Sequence, residues 1–305
     1  MIRYVITGAT SFIGSELIAH LLSVPECEIF AVCRHGKGLW NDRRITRIES
    51  DMSEYGKLHE KIDKADVFIN LAWEGTGHAG RDLEDIQKEN IKNTIAAIRS
   101  AKKMGCRLFV ESGSQAEYGT VLSEITEETP CLPFSEYGKA KLEVKERAFK
   151  LCEEIDIKYI HLRIFSIYGE NDHPWTLVIS CIDKMLRNEC IKLSACTQNW
   201  NFLYVKDAAV QITKLCEHAF HDDGFRHEVY NIASDDTRRL REFIERMKYL
   251  AKSDSHLDYG AITPANMVSL RPDIAKMKSV IGYSMEHGFD DVIRTIIDTR
   301  RSQRI

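Results

Sequence analysis

Ile2-Arg3-Tyr4-Val5-Ile6-Thr7-Gly8-Ala9-Thr10-Ser11-Phe12-Ile13-Gly14 joins a short apolar run to a glycine turn and the start of a helix. The run from 2 to 7 has the length and apolarity of a buried strand. Ile13, Leu17, Ile18, Leu21 and Leu22 then recur at helical spacing. Gly8 permits a tight turn, and Gly14 lets the helix pack closely against it. Backbone amides at that helix start, with the positive end of the helix dipole, suit a pyrophosphate. Ser11 stands where such turns usually carry their middle glycine; it is small and offers a hydroxyl. Alone, the stretch also fits an ordinary strand-to-helix turn, so the rest of the chain must decide.

The deciding partner is Tyr137-Gly138-Lys139-Ala140-Lys141. A phenol and an ammonium four residues apart lie on one helix face. The ammonium favours the phenolate, so Tyr137 is expected to exchange its proton well below a tyrosine's ordinary value of about 10. A dinucleotide turn followed by a tuned tyrosine fits a chain that moves a hydride and a proton together.

Between and beyond these stretches, strand and helix signals alternate. Strands are expected at 28–33, 45–48, 67–72, 107–111 and 158–165, and long helices at 83–104 and 137–155. That alternation predicts an α/β fold with a parallel, doubly wound sheet. The second half loses the rhythm. It reads as helices near 176–188, 238–251, 272–281 and 288–301, a strand–helix unit at 202–218 and a strand at 229–232. The expected organisation is a dinucleotide-binding domain over 1–165, with returning segments near 202–218 and 229–234, and a smaller, mixed, mainly substrate-binding region over 166–305.

The 305 residues are enough for such a domain and a substantial core. A net charge of −4 gives no basic surface for nucleic acid or acidic membranes. No window approaches the roughly 18 uninterrupted apolar residues of a membrane span. Residues 4–6 run straight into the glycine turn, so the start reads as a core strand and not an export signal. Nine cysteines are scattered without a CxxC pair, and no histidines stand at zinc spacing. The expectation is reduced thiols, no metal and a cytoplasmic location; His218 and His221 read as helix-end surface residues. The second strand ends at Cys33-Arg34, with Lys37 close behind. A 2′-phosphate prefers arginine there and a free 2′-hydroxyl an acid, so Arg34 favours NADP over NAD. Asp51 is placed to accept from an adenine amino group, and reads equally as a plain loop carboxylate.

Together these residues resemble the extended short-chain dehydrogenase/reductase family, in its group of nucleotide-sugar epimerases, dehydratases and 4-ketoreductases. The resemblance spans essentially the whole chain. Thr7 to Gly14 matches TGxxxFIG, and Asn70-Leu71-Ala72 resembles the segment after the fourth strand that lines the cofactor. Ser112 to Gly119 resembles the SS-x-x-V-Y-G strand end, and counting back from Tyr118-Gly119 places the catalytic hydroxyl at Ser114. Tyr137 and Lys141 match YxxxK; 163–169 resembles R-x-x-N-x-Y-G; Arg271 resembles the late arginine that grips a sugar-nucleotide diphosphate. The resemblance implies a Rossmann fold and a homodimer through helices 83–104 and 137–155. It implies cofactor contacts at Gly8, Ser11, Phe12, Ile13, Gly14, Arg34, Asp51, Met52, Leu71, Ala72, Tyr137 and Lys141, and substrate contacts at Ser166 and Arg271. It also implies hydride transfer at a sugar carbon. Tyr137 would move the hydroxyl proton, Lys141 would lower its pKa and hold the nicotinamide ribose, and Ser114 would orient the sugar oxygen.

The departures narrow this. Family dehydratases follow the catalytic threonine with Asp-Glu; here Gln115-Ala116 follows Ser114, which argues against 4,6-dehydration. Trp200-Asn201 stands in place of Arg-Asp, and Ser166 in place of an asparagine that often touches the nucleotide sugar. The leading expectation is an NADP-linked 4-keto-6-deoxysugar reductase. An NAD-dependent nucleotide-sugar 4-epimerase, an enzyme of another small hydroxy or keto substrate, and a non-catalytic dinucleotide sensor are the competing readings.

Overall fold

A computed structural model describes residues 1–35, 41–77, 79–264, 266 and 268–303; Lys37 lies outside them. The first half alternates as its sequence does: β1 (Ile2–Thr7), α1 (Phe12–Ser23), β2 (Cys27–Cys33), β3 (Ile45–Glu49), β4 (Val67–Asn70), α2 (Glu84–Lys103), β5 (Leu108–Ser114), α3 (Glu136–Glu154) and β6 (Lys158–Ile164). Short 3₁₀ helices at Met52–Glu60 and Gln115–Glu117 were not foreseen. Asp51 caps the first through its own side chain, and Ser114 caps the second.

Period-two alternation sends successive strand residues to opposite faces. Tyr4, Ile6, Val67, Ile69, Leu108, Val110, Ile160 and Leu162 join one core, which α1 helps to cover. Val5, Phe68, Phe109 and Tyr159 join the other, beneath Ala97, Ile98 and Ala101 of α2 and Ala148 and Leu151 of α3. Phe68 and Phe109 stack with ring centroids 4.9 Å apart, and Phe109 and Tyr159 at 6.3 Å. Burial on both faces is what a parallel sheet requires.

The rest of the chain contributes β7 (Ser166–Tyr168), α4 (Leu177–Met185), β8 (Ile191–Leu193), β9 (Asn199–Tyr204), α5 (Val205–His221), β10 (His227–Ile232), β11 (Thr237–Arg239), α6 (Leu240–Ala251), β12 (Leu257–Tyr259), α7 (Ala275–Ile281) and α8 (Phe289–Ser302). β10 returns to the main sheet, whose seven parallel strands run β10-β6-β5-β4-β1-β2-β3. β7, β9 and β11 form a three-stranded sheet, and β8 pairs with β12. The second apolar cluster of this half gathers Ile179, Ile182, Phe202, Phe243, Met247, Phe289 and Ile293. Asn201 is a structural residue: its amide donates to the Ser234 carbonyl at 2.9 Å and to Thr237 Oγ1 at 3.0 Å. Among the described residues no helix is long and apolar enough to cross a membrane.

In the main sheet the strand order reverses between β1 and β4. The carboxyl ends of those two strands therefore flank the crevice where doubly wound sheets take their ligands.

Candidate active site

The turn after β1 has the shape its glycines imply. Gly8 holds a positive φ of 64°, and a Cβ there would stand 2.9 Å from the Ala72 amide nitrogen. A Cβ on Gly14 would collide with the Gly8 carbonyl oxygen, so only glycine lets α1 sit this close to the turn. Ser11 caps α1, its Oγ accepting the Gly14 N–H at 3.0 Å. This hydroxyl therefore serves the helix end.

Two adjoining clefts lie over the sheet's reversal point. The first, about 280 Å³, is lined by Gly8, Ser11, Arg34, Asp51, Met52, Leu71 and Ala72 among others. Asp51 accepts the Ser53 N–H at 3.1 Å and its hydroxyl at 3.0 Å; these bonds, with the positive charge of Arg34, hold its carboxyl below the usual range. The second cleft, about 320 Å³, shares Leu71 and Trp73 with the first and is lined by Ile13, Arg81, Ser114, Gln115, Tyr137, Lys141 and Ser166. Together the clefts bring together all but three of the residues singled out from sequence. Phe12 and Gly14 belong to the α1 start behind the turn. Arg271 lies apart, exposed at the surface with its guanidinium 3.6 Å from Glu124.

Ser114 ends β5, and Tyr137 and Lys141 stand in the first turns of α3. Ser135 caps that helix by accepting the Gly138 N–H at 3.1 Å, and the Tyr137 N–H donates to the Arg81 carbonyl at 2.8 Å. Tyr137 is nearly buried, with its ring edge-on to Trp73 at 6.1 Å.

One expectation is corrected. Burial raises the Tyr137 phenol above its ordinary value, and a hydrogen bond with Ser114 and the charge of Arg81 offset this only in part. Burial of the phenol is the reason; Lys141, for its part, is engaged by other groups. Its Nζ donates to the Ser112 carbonyl, sits 3.6 Å from Glu111 Oε1 and lies 3.5 Å from the centre of the Trp73 ring. It stands 5.9 Å from the Tyr137 ring centre. Burial lowers Lys141 to about 8 against the pull of Glu111. Burial likewise pushes Glu111 up to about 7, despite Lys141 and the Asn70 amide, which donates to Glu111 Oε2 at 2.8 Å.

Glu117, one turn past Ser114, is also fully buried. It accepts the Ser114 N–H at 2.7 Å, the Arg163 Nε–H at 3.0 Å and His161 Nε2 at 2.9 Å. Burial opposes its charge, but His161, Arg163 and the Ser114 N–H outweigh burial and hold it at about 2. Burial also lowers His161, which is neutral: Nε2–H donates to Glu117 and Nδ1 accepts from the Tyr159 hydroxyl at 3.1 Å.

Glu111, Glu117, Trp73 and Arg81 were missed from sequence. Glu111 had a signal: a carboxylate inside the apolar run Phe109-Val110 needs a buried partner.

The clefts fit a dinucleotide. They adjoin at Leu71 and Trp73, one beginning at a glycine turn on a helix N-terminus and the other holding a hydroxyl, a phenol and an ammonium. Residues 4–233 match the model of the NAD dependent epimerase/dehydratase family. The chain belongs to this family. Among curated members it is similar to the CDP-abequose synthase of Salmonella muenchen, 25% identical over 272 residues, covering 85% of this chain and 84% of that protein. It is 22% identical over 322 residues to the dTDP-4-dehydro-6-deoxyglucose reductase of Escherichia coli, covering 95% and 96%. Among solved family structures, UDP-glucose 4-epimerase of Thermotoga maritima, with UDP-glucose, superposes with a TM-score of 0.87 at 18% identity over 100% of both chains. UDP-glucuronic acid 4-epimerase of Bacillus cereus, with UDP-glucuronic acid and NAD, gives 0.86 at 21% identity over 99% and 100%. These likenesses fix the fold: a Rossmann-like sheet with a smaller mixed region.

Proposed function

We propose that this family member is an NADP-linked reductase of a nucleotide-activated 4-keto-6-deoxysugar. The observation that carries the proposal is the lining of the second cleft: among the described residues it holds Ser114, Tyr137 and Lys141 but no carboxylate. Eliminating water from a sugar needs an acid and a base; reducing a ketone needs one proton donor. Burial keeps the Tyr137 phenol protonated at neutral pH, which suits the donor role. The names of two relatives agree in the sugar chemistry, though the second names NAD and not NADP: dTDP-4-dehydro-6-deoxyglucose reductase, and dTDP-6-deoxy-L-talose 4-dehydrogenase (NAD(+)) of Aggregatibacter actinomycetemcomitans.

Gly8, Ser11, Phe12, Ile13, Gly14, Arg34, Asp51, Met52, Leu71 and Ala72 would hold the dinucleotide. Bound there, it supplies the hydride. Tyr137 donates its proton to the sugar oxygen, and Ser114 gives that oxygen a hydrogen bond. Lys141 would hold the nicotinamide ribose and Ser166 would contact the nucleotide sugar; Arg271, which lies apart from both clefts, is left without a part in this reading. A homodimer through α2 and α3 belongs to the same proposal, and a monomeric mass in light scattering would reject it.

The second reading is an NAD-dependent 4-epimerase using the same three residues. It is supported by the fold likeness to the UDP-glucuronic acid 4-epimerase of Bacillus cereus, whose structure holds NAD. Chromatography of the nucleotide released on denaturation separates the two. Little retained cofactor, with NADPH bound more tightly than NADH, is the expected result. Arg34→Ala should then cost NADPH about tenfold in affinity and NADH little. Stoichiometric NAD that survives purification would overturn the reductase in favour of the epimerase.

A further inference from the structure

We propose that Asp207, Glu286 and His287 form a site for a divalent metal ion of the zinc type, which ties the segment before α8 to the start of α5. None of the three lines either cleft, so the site does not depend on the reductase reading.

The three residues come from distant parts of the chain. Asp207 stands in the first turn of α5, and Glu286 and His287 lie in the segment between α7 and α8. One ligand atom from each, two carboxylate oxygens and an imidazole nitrogen, lie within 4.8 Å of one another. Bonds of about 2.0–2.2 Å to a tetrahedral ion would bring such atoms to about 3.3 Å apart. Asp207 and His287 are already closer than that: His287 Nδ1 lies 2.9 Å from Asp207 Oδ1. The proton shared by those two atoms holds the place a metal ion would take, since metal binding displaces protons from its ligands. Tyr204 packs edge-on against the His287 ring at 5.0 Å and helps to set its direction. Glu286 is exposed, so its side chain can swing in.

A second observation comes from oxygens around the cluster. Asp207 is fully buried, yet its Oδ2 makes no hydrogen bond among the described residues. Two more buried oxygens share that condition: Gln211 Oε1, one turn along α5, and the Tyr283 hydroxyl. Burial raises the Tyr283 phenol, and Asp207 and Gln211 both act on it, which puts the three side chains in one neighbourhood. Among the described residues neither Asp207 nor Glu286 has a lysine or arginine within ion-pair distance; Asp207 has only the half-exposed His287. A buried carboxylate oxygen without a donor costs free energy, and a dication beside it offsets that cost. One nitrogen and two carboxylates suit Zn²⁺, whereas Mg²⁺ and Ca²⁺ favour oxygen alone. The ion would also brace α8, whose Phe289 and Ile293 pack with Phe202 and Phe243.

The test titrates Co²⁺ into the full chain, after a chelator has been added and removed, and follows the visible absorption. The expected result is one equivalent bound in a nitrogen and oxygen set, without a thiolate charge-transfer band, and displaced by Zn²⁺. Zn²⁺ should also raise the thermal midpoint of the parent. His287→Gln and Glu286→Gln should each weaken Co²⁺ binding at least about tenfold and abolish most of that rise. Asp207→Asn should weaken it further; Glu286→Gln alters an exposed side chain, so the test holds even where the buried substitution prevents folding. Parent binding weaker than about 1 mM would overturn the site and leave Asp207 and His287 as an ion pair alone. So would an affinity unchanged in His287→Gln or in Glu286→Gln. A thiolate band would overturn it too, assigning the metal to a cysteine such as the exposed Cys190.

Discussion

Glu111 and Glu117 stand on either side of Ser114, both fully buried, yet they carry opposite electrostatic fates. Glu111 is pushed up to about 7 and Glu117 held at about 2. Depth is the same, so depth is not the cause. Glu117 receives three hydrogen bonds, two of them from Arg163 and the Ser114 N–H. Glu111 receives one, from Asn70; its Oε1 has no hydrogen bond and faces Lys141 at 3.6 Å. A buried carboxylate is ionised by the donors that reach it. The Glu117 cluster behaves as a fixed support for the end of β5, and the Glu111 pair as a soft one under the candidate chemistry.

The largest test of that difference is unfolding free energy. Glu117→Gln leaves Arg163 buried without its counter-charge, and should cost about 3–5 kcal/mol in urea unfolding near neutral pH. Glu111→Gln keeps the shape and a carbonyl for the Asn70 amide, while Lys141 is already lowered toward its neutral form; it should cost less than about 1.5 kcal/mol. Equal losses would end the distinction between a hard and a soft cluster.

Next in size is the chemistry above the soft pair. Tyr137→Phe keeps the ring against Trp73 and removes only the proton. It should leave cofactor binding intact and cut turnover of a nucleotide 4-keto-6-deoxysugar by about 10² or more. Unchanged turnover would remove Tyr137 from the mechanism and leave the Glu111–Lys141 pair without the role assigned to it.

The same contrast explains what the sequence could tell. The alternating strands, the Gly8–Gly14 turn and β10's return were legible, because strand runs and glycine turns are local signals and each element buries what its own pattern exposes. Tyr137 and Lys141 were legible together through their four-residue spacing, and Ser114 through the family resemblance. What opposes Lys141 was not. Spacing shows that Lys141 shares a helix face with Tyr137, but Glu111 and Ser112 reach it from β5, on which α3 packs, and Trp73 from the segment after β4. The expected drop in the Tyr137 pKa failed because burial of the phenol, which spacing does not reveal, outweighs the groups that favour its charged form. Arg81 was invisible because it lies in an irregular loop before α2, where no periodicity marks which side chain turns inward. Asn201, which with Trp200 stands in place of Arg-Asp, proved to be a brace between β9 and the turn at 234–237.

The finest test is the pH dependence of stability, where the two carboxylates should give slopes of opposite sign. Glu117 is lowered from 4.5 to about 2. Between those values the unfolded chain binds the extra proton, so the stability due to Glu117 is complete above pH 4.5 and is lost as pH falls toward 2. Glu111 is raised from 4.5 to about 7. There the folded chain holds the extra proton, so its contribution is complete below pH 4.5 and is lost as pH rises toward 7. Each slope is at most about 1.4 kcal/mol per pH unit. Subtracting the curve of each glutamine variant from that of the parent isolates the carboxylate in question from the many exposed acids. Stopping at pH 7 keeps the measurement below the value of about 8 at which Lys141 releases its own proton. The Glu117 difference should therefore shrink toward acid and the Glu111 difference toward neutrality. Two differences running the same way would mean that the donors counted around each carboxylate do not set its charge. Lys141 would then be free to act on Tyr137 as its spacing first implied.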